Sequence, residues 1–389
     1  MKATFFYDIR FMNYNGNYYS HYGINNGLLQ RYLNIFEQLT YLGRNEIISD
    51  SNRKYLIDGN KITNTQIKTF KENYTDMITK VKEEIKKTDF AIIRLPSFSG
   101  FIAQRECEKK KIPYLVEVVG NPLESLWYHS IKTKIFALPV HLIMKKVVKN
   151  SKFVSYITEE YLQKCYPNKY TAFSSIANVS LPKIEEIVLE KRLTKIQDMK
   201  KQTNINIGLI GALNVKYKGH ITAIKAIKIV KEKYPNIILK LLGQGNKEYL
   251  EKLSKQYNIK ENIEFCGTLP GGEAVMKWLD DIDIYIQPSI TEGHGRAAVE
   301  AMSRGCITFA SNVGGLGDSI EKDYLFKKKD YKALAALIIN SIENAAFAKK
   351  VAISGISRVK KYEENNVEEK RKKAFQAAID YYKETKERK

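Results

Sequence analysis

Two glutamates eight positions apart, Glu292 and Glu300, stand within the stretch Thr291-Glu-Gly-His-Gly-Arg-Ala-Ala-Val-Glu-Ala-Met302. Gly293 and Gly295 follow the first, and a helix-prone run surrounds the second. A helix that begins near Gly295 presents free backbone N–H groups and the positive end of its dipole there, which suits a phosphate. The glycines let the backbone approach a ligand closely. Glu292 then lies in the loop at the mouth, and Glu300 about a turn and a half into the helix, leaning back toward the N-terminus. Two carboxylates bracket one anion site, and each can accept from paired hydroxyls. A diphosphate between two polyol rings fits such a site, which is the chemistry of a nucleotide sugar.

An isolated pair of glutamates at this spacing is usually a solvated helix face, so the flanking elements matter. Upstream, Asp283-Ile-Tyr-Ile-Gln-Pro288-Ser289 has the pattern of a short buried strand ending in a turn; downstream, Cys306-Ile-Thr-Phe-Ala310 has that of the next strand. The order strand, glycine turn, helix, strand puts the loop at the carboxyl end of a strand, where open α/β sheets bind ligands. The stretch closely resembles the donor-site signature of glycosyltransferase family 4, the retaining GT-B enzymes of the group 1 glycosyl transferases. Their pattern of Pro-Ser, Glu-Gly-x-Gly, Glu-Ala-Met, Gly and Gly-Gly-x-x-Glu/Asp is met by Pro288-Ser289, Glu292-Gly293-His294-Gly295, Glu300-Ala301-Met302, Gly305, Gly314-Gly315 and Asp318.

A second element, Ile207-Gly-Leu-Ile-Gly211-Ala-Leu-Asn-Val-Lys216-Tyr-Lys218-Gly219, lacks the G-x-G-x-x-G spacing and a placed ribose acid, so a nicotinamide site is not indicated. It is similar to the family's Gly-Arg-x-x-x-x-Lys-Gly, whose two cations hold the donor diphosphate. Lys218-Gly219 matches; the arginine position holds Ala212, which leaves Lys216 or Arg296 to supply the second charge. Leu242-Gly-Gln-Gly245 and Phe265-Cys-Gly-Thr-Leu269 resemble two further turns of the family, the latter placing Gly267 and Leu269 beside the nucleotide base.

The resemblance implies Glu292 and Lys218 as catalytic residues. Lys218 and the helix N-terminus after Gly295 would stabilise the leaving diphosphate, Glu300 would accept the ribose hydroxyls, and Glu292 would orient the transferred sugar. Gly211, Gly293, His294 and Arg296 complete the implied donor contacts. It also implies transfer with retention, no cofactor and no obligatory metal. Asp281-Ile-Asp283 admits a metal-binding D-x-D reading but is assigned to a helix end and a strand start, because the second aspartate runs directly into Ile-Tyr-Ile.

The 389 residues suffice for two cores of ordinary size, and a hydrophobic content of 44% is that of a globular protein. No apolar run approaches the roughly 20 residues that span a bilayer. Asp8 and Arg10 interrupt the first apolar stretch, which marks a strand and not a signal peptide. Cys107, Cys165, Cys266 and Cys306 have neither C-x-x-C nor Cys/His ligand spacing, so a reducing, cytoplasmic setting without structural zinc is expected.

Hydrophobic periodicity predicts an α/β protein in two halves. Strands are expected at 3–7, 90–95, 114–119, 153–157 and 170–176, then at 205–210, 237–242, 263–265, 282–286 and 307–310, with helices between them, among others over 27–42, 74–87, 221–234 and 247–257. The resemblance implies the GT-B fold: two Rossmann-like domains with parallel sheets facing an inter-domain cleft. The expected division is an acceptor-side domain over 1–190, a donor domain over 191–365, and a final helix over 366–389 crossing back to the first. The glycine-free segment 182–203 is the linker candidate. On the acceptor side the sequence offers Gly120-Asn121 after a strand and the tyrosine-rich loop 14–22, whose Tyr18 and Tyr19 can stack on a sugar, the alternative being packing or a turn. The strand before Gly120 ends in Val119, so the active-site histidine of many family members has no counterpart.

The formal net charge of +21 calls for a partner. No acidic residue lies between Glu124 and Glu159, while Lys132, Lys134, Lys145, Lys146, Lys149 and Lys152 surround the apolar run 135–144. Such a segment fits an anionic membrane surface, with Trp127 and Tyr128 at the interface; the alternative is a crossover helix with solvated lysines. No nucleic-acid-binding signature accompanies the charge, and no nucleic-acid partner is expected. The expected partners are a nucleotide-diphosphate sugar and a lipid-linked glycan acceptor, at the inner face of the plasma membrane. A GT-B sugar-nucleotide epimerase and a non-catalytic basic binding protein remain as alternatives, separable by product analysis and by nucleotide-sugar affinity.

Overall fold

The computed structural model describes residues 1–14, 17–20, 26–47, 55–56, 62–68 and 73–387. The chain divides into two compact units, Met1–Ile176 with Glu368–Lys389, and Ala177–Val367. Each has its own sheet with helices on both faces.

In the first unit the strands are β1 (Lys2–Tyr14), β2 (Asn17–Ser20), β3 (Gln38–Ile47), β4 (Tyr55–Leu56), β5 (Ile62–Ile67), β6 (Phe90–Leu95), β7 (Tyr114–Val118), β8 (Phe153–Tyr156) and β9 (Thr171–Phe173). The parallel body runs β5-β3-β1-β6-β7-β8-β9, and β2 returns antiparallel along the end of β1. Side chains alternate across the sheet. Ala3, Phe5, Phe90 and Ile92 enter a core with Phe36, whereas Phe6, Ala91 and Ile93 enter the opposite one with Met77 and Val81. The last helix, Glu364–Glu387, brings Ala374, Phe375 and Ala378 into the first of these cores, where Phe375 meets Phe36 edge-on at 5.7 Å.

Two expectations change here. The helix predicted over 27–42 ends at Leu33, and Gln38–Ile47 is a strand held between β1 and β5. Leu39 and Tyr41 are buried on one face and Leu42 on the other, so the alternation that betrays a half-exposed strand is missing. Tyr18 and Tyr19 belong to β2, in register with Asn13 and Met12, and not to a loop; His21 and Tyr22 lie outside the described residues.

In the second unit β10 (Ile205–Ile210), β11 (Ile237–Leu242), β12 (Ile263–Phe265), β13 (Ile284–Gln287), β14 (Ile307–Ser311) and β15 (Leu325–Phe326) form a parallel sheet in the order β12-β11-β10-β13-β14-β15. This is the doubly wound order, with its switch point between β10 and β13, where open α/β sheets hold ligands. The presumed linker is part of this unit. Residues 177–181 already contribute Ala177, Val179 and Leu181 to its core, and Glu186–Gln197 is a helix. From that helix the buried Arg192 donates to the carbonyl oxygens of Leu279, Ile282 and Arg304, which gives its own buried N–H groups partners. A charged, glycine-free composition here marks a clamp helix whose arginine serves the core.

Candidate functional site

The loops that follow β10 and β13 flank the switch point, and they are pinned to each other. Ile290 N–H donates to Tyr217 O at 2.7 Å, and Gly219, at φ +81°, lies so close to Pro288 that a Cβ would collide with its carbonyl oxygen. Gly314, at φ +56°, packs in the same way on the carbonyl of Glu292, and Gly315 N–H donates to Gly293 O at 2.8 Å. The glycines of the signature therefore hold the Glu292 loop from both sides.

The helix predicted near Gly295 is Arg296–Ser303, with Gly295 at its N-cap and no side chain capping it. Across its mouth Lys218 Nζ meets Glu292 Oε2 at 2.8 Å, with the stem of Lys218 lying over Gly211. Glu300 is in the second turn, its side chain 20% exposed, with Arg296 at 3.7 Å. Burial raises the Glu300 carboxyl above its ordinary value, and Arg296 only partly opposes this. A phenol between the two loops registers both acids. Burial pushes Tyr285 well up, and the charges of Glu300 and Glu292 act in the same direction.

Sequence reasoning missed the support beneath Glu292. Alternate residues of one strand face share a side, and Tyr285, Gln287 and Ser289 form a chain of hydrogen bonds along it. Ile210 N–H donates to the Tyr285 hydroxyl at 3.3 Å, that hydroxyl to Gln287 Oε1 at 2.7 Å, Gln287 Nε2 to Ser289 Oγ at 2.9 Å, and Ser289 Oγ to Glu292 Oε2 at 3.2 Å. The signal was present as polar tips at every second position of an otherwise apolar strand.

The other expected donor residues are spread around this centre. Lys216 lines a neighbouring pocket of about 280 Å3 with Asn214 and His220, the latter lowered to about 4 by burial. Gly267 and Leu269 follow β12, and Gly267 O accepts from Gly243 N–H at 2.7 Å, which ties that turn to the loop after β11. His294 is buried against Tyr362 with its ring edge-on at 4.8 Å, so it packs the loop from inside. Asp283 is 3% exposed and accepts from Lys195 at 2.9 Å and Asn206 N–H at 2.8 Å, which gives that carboxylate a structural occupation.

In the first unit, Asn121 has a full set of partners. Its Oδ1 accepts from Leu123 N–H at 3.0 Å and from the Tyr166 hydroxyl at 2.7 Å, and its Nδ2 donates to the Tyr161 hydroxyl at 2.9 Å. The Tyr166 hydroxyl, having donated its proton, accepts from His141 Nδ1 at 2.8 Å. Asn121 thus caps the helix Pro122–His129 and ties its start to the helix Tyr161–Cys165 and to Tyr166 just beyond it.

Residues 192–358 match the family described as Glycosyl transferases group 1. Over 390 residues the chain is 37% identical to Protein CapJ of Staphylococcus aureus, covering 96% of this chain and 95% of that protein. It is 27% identical over 180 residues to the amylovoran biosynthesis glycosyltransferase AmsK of Erwinia amylovora, 44% of each chain. Among solved structures, sucrose-phosphate synthase from Thermosynechococcus elongatus aligns with a TM-score of 0.70 at 16% identity, over 98% of this chain and 99% of that one. Anabaena HepE in complex with UDP-glucose aligns with a TM-score of 0.65 at 14% identity, over 97% and 100%. At such identities the likeness is one of fold.

Proposed function

The chain belongs to the group 1 glycosyl transferases and has the GT-B fold, and on that premise we propose that it is a retaining family 4 enzyme, moving a sugar from a nucleoside diphosphate to a lipid-linked glycan in surface polysaccharide assembly at the inner membrane face. The observation that carries this reading is the pair Lys218 and Glu292 at the mouth of an uncapped helix whose second turn holds Glu300. In the reaction the bond between the anomeric carbon and the diphosphate oxygen breaks, and negative charge grows on the diphosphate. Lys218 and the first N–H groups of the helix meet that charge. The acceptor hydroxyl attacks on the face the diphosphate leaves and passes its proton to it. Glu292 already accepts from both Lys218 and Ser289, which suits it to holding sugar hydroxyls and not to attacking carbon. Donor binding therefore exchanges the Lys218–Glu292 contact for two contacts with the ligand.

Glu300 provides the test of the donor site. A hydrogen bond to a charged acceptor is worth about 1.5–3 kcal/mol, so Glu300→Gln should weaken nucleoside diphosphate binding about 10- to 100-fold by calorimetry. The same variant should melt at a higher temperature at neutral pH. The sign follows from the raised carboxyl: the folded chain holds the proton over a pH window where the unfolded chain has lost it, so wild-type stability falls as pH rises through that window. Glutamine removes that loss. Unchanged nucleotide affinity in a folded variant would remove Glu300 from the ribose.

Because cationic and backbone groups are assigned to the diphosphate, transfer should persist in EDTA, and Asp281→Asn should leave it within about twofold. Loss of transfer on chelation, restored by magnesium, would return the D-x-D reading.

A further inference from the structure

The helix Ile131–Asn150 has two apolar faces, and only one of them meets the core. Ala137, Val140, Met144 and Val148 are buried. Ile131, Ile135, Leu138 and Leu142 recur at steps of four, three and four residues, which at 3.6 residues per turn makes a second stripe on the opposite side. That stripe is open to solvent: Ile131 is 83% exposed, Ile135 76%, Leu138 57% and Leu142 55%, while Phe136 and Ile143 are exposed on the flank between it and the buried face. Trp127, on the preceding helix, is 49% exposed and carries the Lys134 ammonium 5.3 Å from its ring centroid.

Helical geometry also places the lysines. Lys134 and Lys145 run along one edge of the stripe and Lys132 and Lys146 along the other. No carboxylate among the described residues pairs with any of the four. Lysines at such edges can lay their stems along an apolar surface while the ammonium groups reach outward. The start of this helical pair is anchored by the Asn121, Tyr161, Tyr166 and His141 hydrogen bonds, so the stripe is displayed by a fixed element.

We propose that this face inserts into the headgroup and upper acyl region of a bilayer containing anionic lipid, the helix lying in the plane of the surface with its four flanking lysines on lipid phosphates. The charge pattern selects that occupant. A second copy of the same face would bring eight unpaired lysines together, and a nucleic acid would leave the central aliphatic stripe without a partner. No helix among the described residues is long and apolar enough to cross a membrane, which fits a helix lying in the interface. The sequence alone predicts attraction that fades with salt; the exposed stripe adds an apolar component that salt does not screen. The proposal extends the membrane side of the reading above, and its test separates the two.

The experiment is sedimentation of the full chain with vesicles of phosphatidylglycerol and phosphatidylcholine, at about 0.1 M and about 1 M salt, where the Debye length falls from about 10 Å to about 3 Å. Wild type should bind at both, more weakly at the higher. Changing Lys132, Lys134, Lys145 and Lys146 to Gln should remove the salt-sensitive share. Ile135→Asn, Leu138→Asn and Leu142→Asn together should lower partitioning by about 100-fold or more at either salt, with nucleoside diphosphate affinity unchanged as the check of folding. Trp127 emission should shift to the blue on adding vesicles, and the shift should vanish in Trp127→Phe. Sedimentation of the aliphatic triple variant equal to wild type would overturn the proposal. So would a lipid-free wild type that is dimeric while the triple variant is monomeric, because the stripe would then be a self-interface. Vesicle binding without any nucleotide-sugar affinity would leave this surface standing and remove the donor reading.

Discussion

Lys218→Met should lower turnover about 100- to 1,000-fold, the range found when one preorganised group that stabilises developing charge is removed. The ammonium lies at the mouth of the uncapped helix, 2.8 Å from Glu292, and its stem rests over Gly211. Methionine keeps the stem and its packing while deleting the charge. The expected signature is a fall in kcat larger than the rise in KM, because charge on the diphosphate is greatest when the glycosidic bond is breaking. Lys218→Arg should recover part of the loss. A rise in KM alone, with kcat retained, would make Lys218 a ground-state anchor and would shift the stabilising role to the helix N-terminus.

Glu292→Gln should abolish most transfer, by about 100-fold or more, while nucleoside diphosphate affinity stays within about threefold of wild type. The two halves of this expectation come from different neighbours. The carboxylate is aimed by Ser289, itself aimed by Gln287 and Tyr285, so the proposed geometric role in holding the transferred sugar is lost with the charge. The diphosphate contacts proposed for Lys218 do not need Glu292; releasing the ammonium from its carboxylate leaves it more available to phosphate. Measured by product formation and by calorimetry on the same preparation, an equal loss of both quantities would place Glu292 in nucleotide binding or in folding. Gln287→Leu serves as a second probe, because it cuts the chain of hydrogen bonds below Glu292 without touching ligand. It should lower kcat and leave nucleotide affinity unchanged.

Much of the candidate site was legible because its residues are local. A glycine turn followed by a helix fixes an N–H-rich mouth within a few residues, and Glu292, Gly295 and Glu300 sit on that one segment. Long-range support was not legible. Gly314 and Gly219 are recognisable as turn residues, yet their collision-limited contacts with Glu292 and Pro288 join loops that follow different strands. The same limit explains the strand Gln38–Ile47, whose identity rests on hydrogen bonds to β1 and β5 and not on its own pattern.

By itself the sequence determined the alternation of strands and helices, the glycine-bounded loops and the residue types proposed to meet a diphosphate and two polyols, since each depends on neighbours a few positions away. The tertiary structure decided which loops share a site, because the order β11-β10-β13 puts the ends of β10 and β13 side by side. It also decided which apolar residues have a partner. Val140 and Leu142 are equivalent in a list of hydrophobic residues, but one faces Met144's core and the other faces solvent. That difference comes from the side of the helix that packs on the sheet, which no local periodicity can state when both sides are apolar.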